Sequence, residues 1–153
     1  SKLKAGIPLC EQTRPISLLA AHSKLFEKVI LARVRNWAES NKLIPEEQSG
    51  FRPGCNLPTR VLSIYQTVKN KMSGNIPTVA IYVDYQKAYD KVWHRGMIVK
   101  LFRLGINLAI LKFIISWLKS RRAYITVEES KSKVFYTHTG LPQGSSLSPY
   151  LFV

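Results

Sequence analysis

Residues 78–84 read T-V-A-I-Y-V-D. The run is β-branched and apolar on both faces, the pattern of a strand buried at the centre of a sheet. Helical patterns surround it. One spans Lys24 to about Asn41, with Ser23 as its cap and Leu25, Val29, Val34 and Trp37 near one face. A second runs from about Pro58 to Met72, with Pro58 in its first turn and Gly74 at its end. Val61, Leu62, Tyr65, Val68 and Met72 follow its period. A third covers Gly96 to Leu104 and stops at Gly105. A fourth, capped by Asn107, covers Leu108 to about Ser120. Ala123–Glu128 and Lys133–His138 read as a hairpin that turns at Glu129–Ser132. Residues 140–146 form a glycine- and serine-bearing loop, and a last helix begins at Ser148-Pro149. The expected class is α+β, with helices packed on an antiparallel sheet.

The 153 residues suit one domain, and an apolar share of 46% is enough for a core. Twenty-three lysines and arginines face nine acidic residues, a formal charge of +14. Solubility needs a magnitude of only roughly 2–8, so the excess points to a polyanion. The basic residues are spread along the chain instead of gathering on one amphipathic helix, which favours nucleic acid over a membrane surface. The apolar run from Leu108 to Leu118 is broken by Lys112 and Ser116 and falls short of the ~20 residues that span a bilayer. Cys10 and Cys55 are the only cysteines and outline no disulfide framework, as befits a reducing compartment. No targeting signal is visible. The first residue is not Met and the last three, Leu-Phe-Val, sit in an apolar helix just begun, so an internal segment is expected.

Asp84 ends the central strand and so places a carboxylate at a sheet edge. Phosphoryl-transfer sites use such carboxylates to hold two Mg²⁺ ions ~3.5–4 Å apart. An Asp in that place can equally cap the next turn. Tyr89 follows five residues later. A chain that turns back there sets its ring beneath a sugar bound at Asp84, where it would exclude a 2′-hydroxyl; the alternative is a core aromatic. In G-L-P-Q-G-S (140–145), Gly144 allows close backbone approach and Gln143 offers a donor and an acceptor, or the loop is an ordinary helix entry. Arg14, before Pro15, and Arg52, in a glycine-rich turn, each suit a phosphate or a solvated surface.

Four ordered stretches resemble the reverse transcriptases of non-LTR retrotransposons, and more distantly those of group II introns. They are R-P-I-S-L-L (14–19), Q-S-G-F-R-P-G (48–54), V-D-Y-Q-K-A-Y-D-K-V-W-H (83–94) and L-P-Q-G-S-S-L-S-P-Y-L-F (141–152). With S-W-L-K-S-R-R (116–122), the likeness is greatest to the jockey-type branch. The resemblance implies right-hand polymerase architecture: about 1–75 on the fingers side, and about 76–153 as partial palm with a fingers hairpin at about 121–138. It implies an RNA-directed DNA polymerase that extends a DNA primer, or target DNA, with dNTP on an RNA template, using Mg²⁺ or Mn²⁺. Asp84 and the Tyr85 backbone carbonyl would hold metal, and Tyr89 would be the steric gate. Gln143 and Gly144 would line the nucleotide, Arg14 would grip the triphosphate, and Arg52 would position nucleic-acid backbone. Asp90 would cap the following helix. Cytoplasm and nucleus are the compartments implied, and no membrane partner is.

One departure matters. The family's Tyr/Phe-x-Asp-Asp motif is not among these residues, nor is any other Asp-Asp pair. The resemblance pairs residues 78–84 with the strands that carry that motif, so their apolar faces are expected to lack cover and to recruit other chains. The fragment alone is expected to be inactive. The alternative is a nucleic-acid-binding remnant without turnover. An RNA-dependent RNA polymerase fits less well, because that family usually carries a polar residue where Tyr89 stands.

Overall fold

The computed structural model describes residues 13–119 and 121–153; Cys10 and Ser120 lie outside them. The chain forms α1 (Ala21–Ser40), α2 (Leu57–Ser73), a 3-10 turn at Tyr89–Lys91, α3 (His94–Arg103) and α4 (Leu108–Leu118). The short strands β1 (Arg121–Ala123), β2 (Thr126–Val127), β3 (Ser130–Lys131) and β4 (Phe135–Thr137) follow, then α5 (Ser148–Phe152). Helices and small antiparallel ladders are thus mixed, and no described helix is long and apolar enough to cross a membrane.

The core lies between α1, α4 and the chain from Gly140 onward. Ile30, Leu31, Val34 and Ala38 of α1 meet Ile110, Leu111, Ile114 and Leu118 of α4. Ile106, Leu141, Leu147 and Tyr150 complete the cluster. Both helices bury a stripe along one face, at i, i+3, i+4, i+7 and i+11 from Glu27 in α1 and at i, i+1, i+4 and i+8 from Ile110 in α4, as helices packed on one side do. Among the described residues, no strand residue is in this core. The sheet expected behind the helices is therefore reduced to one hairpin arm.

That arm is split. Arg121, Arg122 and Ala123 pair with Thr137, Tyr136 and Phe135, and Thr126 and Val127 pair with Lys131 and Ser130. Between the ladders the Ser132 hydroxyl accepts from the Ile125 N–H at 2.9 Å. The turn falls at Glu128-Glu129, not 129–132, with Glu128 at φ 52°.

The strand expected over Thr78–Asp84 does not form: residues 76–84 are irregular and pair with no described strand. Ile81 is 84% exposed and Tyr82 92%. A strand apolar on both faces is stable only with neighbours and cover, and none of the described residues provides them.

Side-chain caps set the starts of α2 and α4 but not that of α1. The Asn56 side chain caps α2, accepting from Thr59 N at 2.9 Å, with Pro58 in the first turn and Gly74 as C-cap. The Asn107 side chain caps α4 at 2.9 Å from Ala109 N. Ser23 is no cap: α1 starts at Ala21, with Ala20 at the cap position making no side-chain bond. The buried stripe of α1 shifts accordingly, leaving Leu25 and Val29 exposed. The predicted apolar side of α2 buries nothing.

Arg52 fastens the loop after α1. Its Nε and Nη2 donate to the two Glu39 oxygens at 3.1 and 2.6 Å, and Nη1 donates to the Pro45 carbonyl at 2.9 Å. The hydrogen bond from Arg52 holds the Glu39 carboxyl below the usual carboxylate range. With its folded pKa depressed, Glu39 contributes stability above its unfolded pKa, and that is lost as pH falls through the folded value. Replacing Arg52 by Gln is therefore expected to narrow the gap between urea midpoints at neutral pH and at about pH 3. A gap as wide as the parent's would show that the pair does not contribute.

Candidate active site

The chain from Gly140 to Ser148 gathers three of the four stretches singled out in the sequence. Gly140 N donates to the Val92 carbonyl at 2.9 Å and Leu141 N to the Tyr89 carbonyl at 2.8 Å. His94 Nε2 lies 2.6 Å from the Gly140 carbonyl. These contacts lash the loop to the segment after Asp84. On its other side, Ser17 N donates to the Gln143 carbonyl at 2.6 Å, which brings in the segment that begins at Arg14. Gly144 sits at φ 117°, and a Cβ there would come within 2.6 Å of the Ser17 carbonyl oxygen. Both the conformation and the close approach require glycine.

Gln143 and Tyr89 already have partners. Gln143 Nε2 donates to Asp90 Oδ1 at 2.9 Å. Asp90 is thus not the cap of α3: Trp93 occupies the cap position without a side-chain bond, and Asp90 lies in the 3-10 turn facing Gln143. A carboxylate one turn too early to reach the α3 amides is close enough to take the Gln143 amide. The Tyr89 ring stacks on Phe152, with centroids 4.8 Å apart and 18° between planes, and burial raises its phenol pKa.

The hub beneath the loop is Glu27, which the sequence did not announce. It is 2% exposed. Its Oε2 accepts from Ser145 Oγ at 2.7 Å and from Ser146 N at 2.9 Å, and its Oε1 accepts from Trp117 Nε1 at 3.0 Å. Ser145 Oγ in turn accepts from Leu147 N at 3.0 Å and Ser148 N at 3.2 Å, which sets the entry of α5. One carboxylate thereby ties α1, α4 and the loop together. The available signal was positional: residue 27 precedes Ile30, Leu31 and Val34 by three, four and seven, so an acid stood on the buried stripe.

Four expected residues stay outside this assembly. Asp84 and Tyr85 are exposed on irregular chain. Arg14 is exposed, and the Arg52 guanidinium is held by Glu39 and Pro45 as described. Among the described residues, no three His, Cys, Asp or Glu side chains gather as a metal site. One exposed carboxylate beside a backbone carbonyl does not fit a pair of divalent ions, which need several oxygen ligands each.

Residues 2–153 match the family model described as "Reverse transcriptase (RNA-dependent DNA polymerase)". The chain belongs to the reverse transcriptase family. It is 34% identical over 93% of its length to the "Probable RNA-directed DNA polymerase from transposon BS" of Drosophila melanogaster. It is 33% identical over 91% of its length to the "RNA-directed DNA polymerase from mobile element jockey" of the same fly, and 30% to the "Probable RNA-directed DNA polymerase from transposon X-element". These relatives make it a jockey-like reverse transcriptase domain of the non-LTR type. The chain spans only 15–16% of their length. In this reverse transcriptase domain the loop 140–148, not the strand-end carboxylate, is the organised element.

Proposed function

We propose that this chain supplies the nucleotide-facing part of an RNA-directed DNA polymerase of a jockey-like non-LTR retrotransposon. The carrying observation is the convergence of residues 14–19, 89–94 and 140–148 on one loop held from below by Glu27. In this reading residues 1–75 belong to the fingers side and 76–153 to the palm, with the 121–137 arm as a fingers hairpin. Gln143 and Gly144 line the incoming dNTP and its template base, and Arg14 meets the triphosphate. Tyr89 is the deoxyribose gate once its ring leaves Phe152. Arg52 lies near nucleic-acid backbone, shaping the turn while Glu39 holds it. The RNA template and the DNA primer, or target DNA, lie along the basic surface. Asp84, with the Tyr85 carbonyl, is the chain's own contribution to binding divalent ions, Mg²⁺ or Mn²⁺.

By themselves the 153 residues are expected to bind without turnover, a reading favoured by the lack, among the described residues, of three His, Cys, Asp or Glu side chains gathered as a metal site. A filter-binding titration on an RNA–DNA hybrid is expected to lose at least about 10-fold in affinity between 50 and 200 mM salt, because neutralised phosphates release counterions. An affinity indifferent to salt would refute the reading. In the same assay with dNTP and Mg²⁺ added, no primer extension is expected. Extension that disappears in Asp84→Ala would overturn the second half of the proposal.

A further inference from the structure

A cavity of about 320 Å³, which Glu27 also lines, opens between the first turns of α1 and the end of α4. Its walls include Ser23, Phe26, Phe113, Trp117, Arg121 and Arg122. The volume is at the lower end of the roughly 300–1,000 Å³ typical of small-ligand sites.

Two arginines face a single carboxylate at this cavity, that of Glu27. Among the described residues the only ion pair is Arg52 with Glu39, so neither arginine here is bridged to a carboxylate. Glu27 lies close enough to attract Arg121, yet its oxygens already accept from three donors. The Arg121 guanidinium lies 5.0 Å from the centroid of the Trp117 ring, and burial pushes its pKa down. One carboxylate against two guanidinium groups leaves an excess positive charge, partly drawn out of water, that an incoming anion would offset. Ser23 belongs to the first turn of α1, a 20-residue helix with no side-chain cap and no acidic residue in that turn. Its free N–H groups add to the positive field. Next to this anion-seeking end is an aromatic wall. Phe26 is 54% exposed and is held edge-on against Phe113, with centroids 5.2 Å apart. An exposed ring fixed by a second ring is a stacking platform for a base.

We propose that this cavity binds one nucleotide unit, its phosphate at Arg121, Arg122 and the start of α1, and its base on Phe26. The ligand class is a nucleoside phosphate, met either within a single strand of nucleic acid or as a free nucleotide. An acidic peptide would satisfy the arginines but would leave the Phe26 face without use.

Fluorescence anisotropy of a labelled 12-nucleotide RNA on the 153-residue chain tests this. Arg121→Ala/Arg122→Ala is expected to weaken binding roughly 10-fold more than Lys69→Ala/Lys71→Ala, which removes the same charge from α2. Phe26→Ala, which leaves the charge unchanged, is expected to weaken it about 10-fold, and Phe26→Tyr to keep it. Competition with AMP separates the two sources: displacement at millimolar AMP assigns the site to free nucleotides as well as strands, and no displacement assigns it to strands. Equal losses in the two double variants, or parental affinity in Phe26→Ala, would overturn the proposal. Absent hybrid-duplex binding with intact single-strand binding would instead strike the function proposed above and leave this site standing.

Discussion

Replacing Glu27 by alanine is expected to remove a substantial part of the stability of the domain. Three donors lose their acceptor at once, and two of them, Ser146 N and the Trp117 indole, have no other way to turn. Each buried donor left without a partner costs about 1–3 kcal/mol, so those two together cost roughly 2–6 kcal/mol against the ~5–15 kcal/mol that holds a typical domain. Urea denaturation followed by far-ultraviolet circular dichroism measures it. Glutamine is no conservative replacement here. Its single oxygen can face either Trp117 or the Ser145–Ser146 pair, and its NH₂ group then confronts an obligate donor. Adding Trp117→Phe to Glu27→Gln deletes one of those donors and is expected to recover part of the loss. A Glu27→Ala protein as stable as the parent would show that the hub does not hold the loop.

The second large effect is expected at Gly140, which sits at φ 82° with its would-be Cβ 2.7 Å from the Asp90 carbonyl oxygen and 2.9 Å from Asp90 Cα. Both neighbours are backbone and cannot rotate away. Alanine there must part the two segments, straining the bonds from Gly140 N to Val92 and from Leu141 N to Tyr89. A loss of roughly 2–4 kcal/mol is expected, with faster hydrogen exchange at Leu141. Gly105→Ala is the control. It shares the positive φ, at 78°, but nothing lies within 4 Å of its Cβ position. It should cost only about 1 kcal/mol of conformational strain. Equal losses at the two positions would mean that the close approach at Asp90 is not what fixes the loop.

Local chemistry was readable in the sequence where a single residue decides an outcome. Asn56, Pro58 and Gly74 bound α2, and Asn107 starts α4, because capping acts within one turn. Ser23 misled because the residues before it, Ala21 and His22, accept helical geometry without any cap. Residues 78–84 misled for the opposite reason. Their β-branched composition is a preference that becomes a strand only when other strands lie beside it, and none of the described residues does. The 140–148 loop was legible as a motif, and its setting was not. That Gln143 faces Asp90, and that Ser145 and Ser146 rest on Glu27, are contacts between residues far apart in sequence. An acid at position 27 also looks like one more solvated charge until its place on the buried stripe of α1 is counted.

The long separation between Glu27 and its partners has a consequence for the order in which the protein is made. Ser145 and Ser146 follow Glu27 by 118 and 119 residues. At ~5–20 residues per second, a ribosome needs about 6–24 s to deliver them after α1 has left it. Throughout that interval the acid must stay in water, since sinking into the apolar stripe without its donors is penalised. Final docking of α1 on α4 is therefore deferred until the 140–148 loop has been synthesised, and the same contact that positions the loop also times the closing of the core.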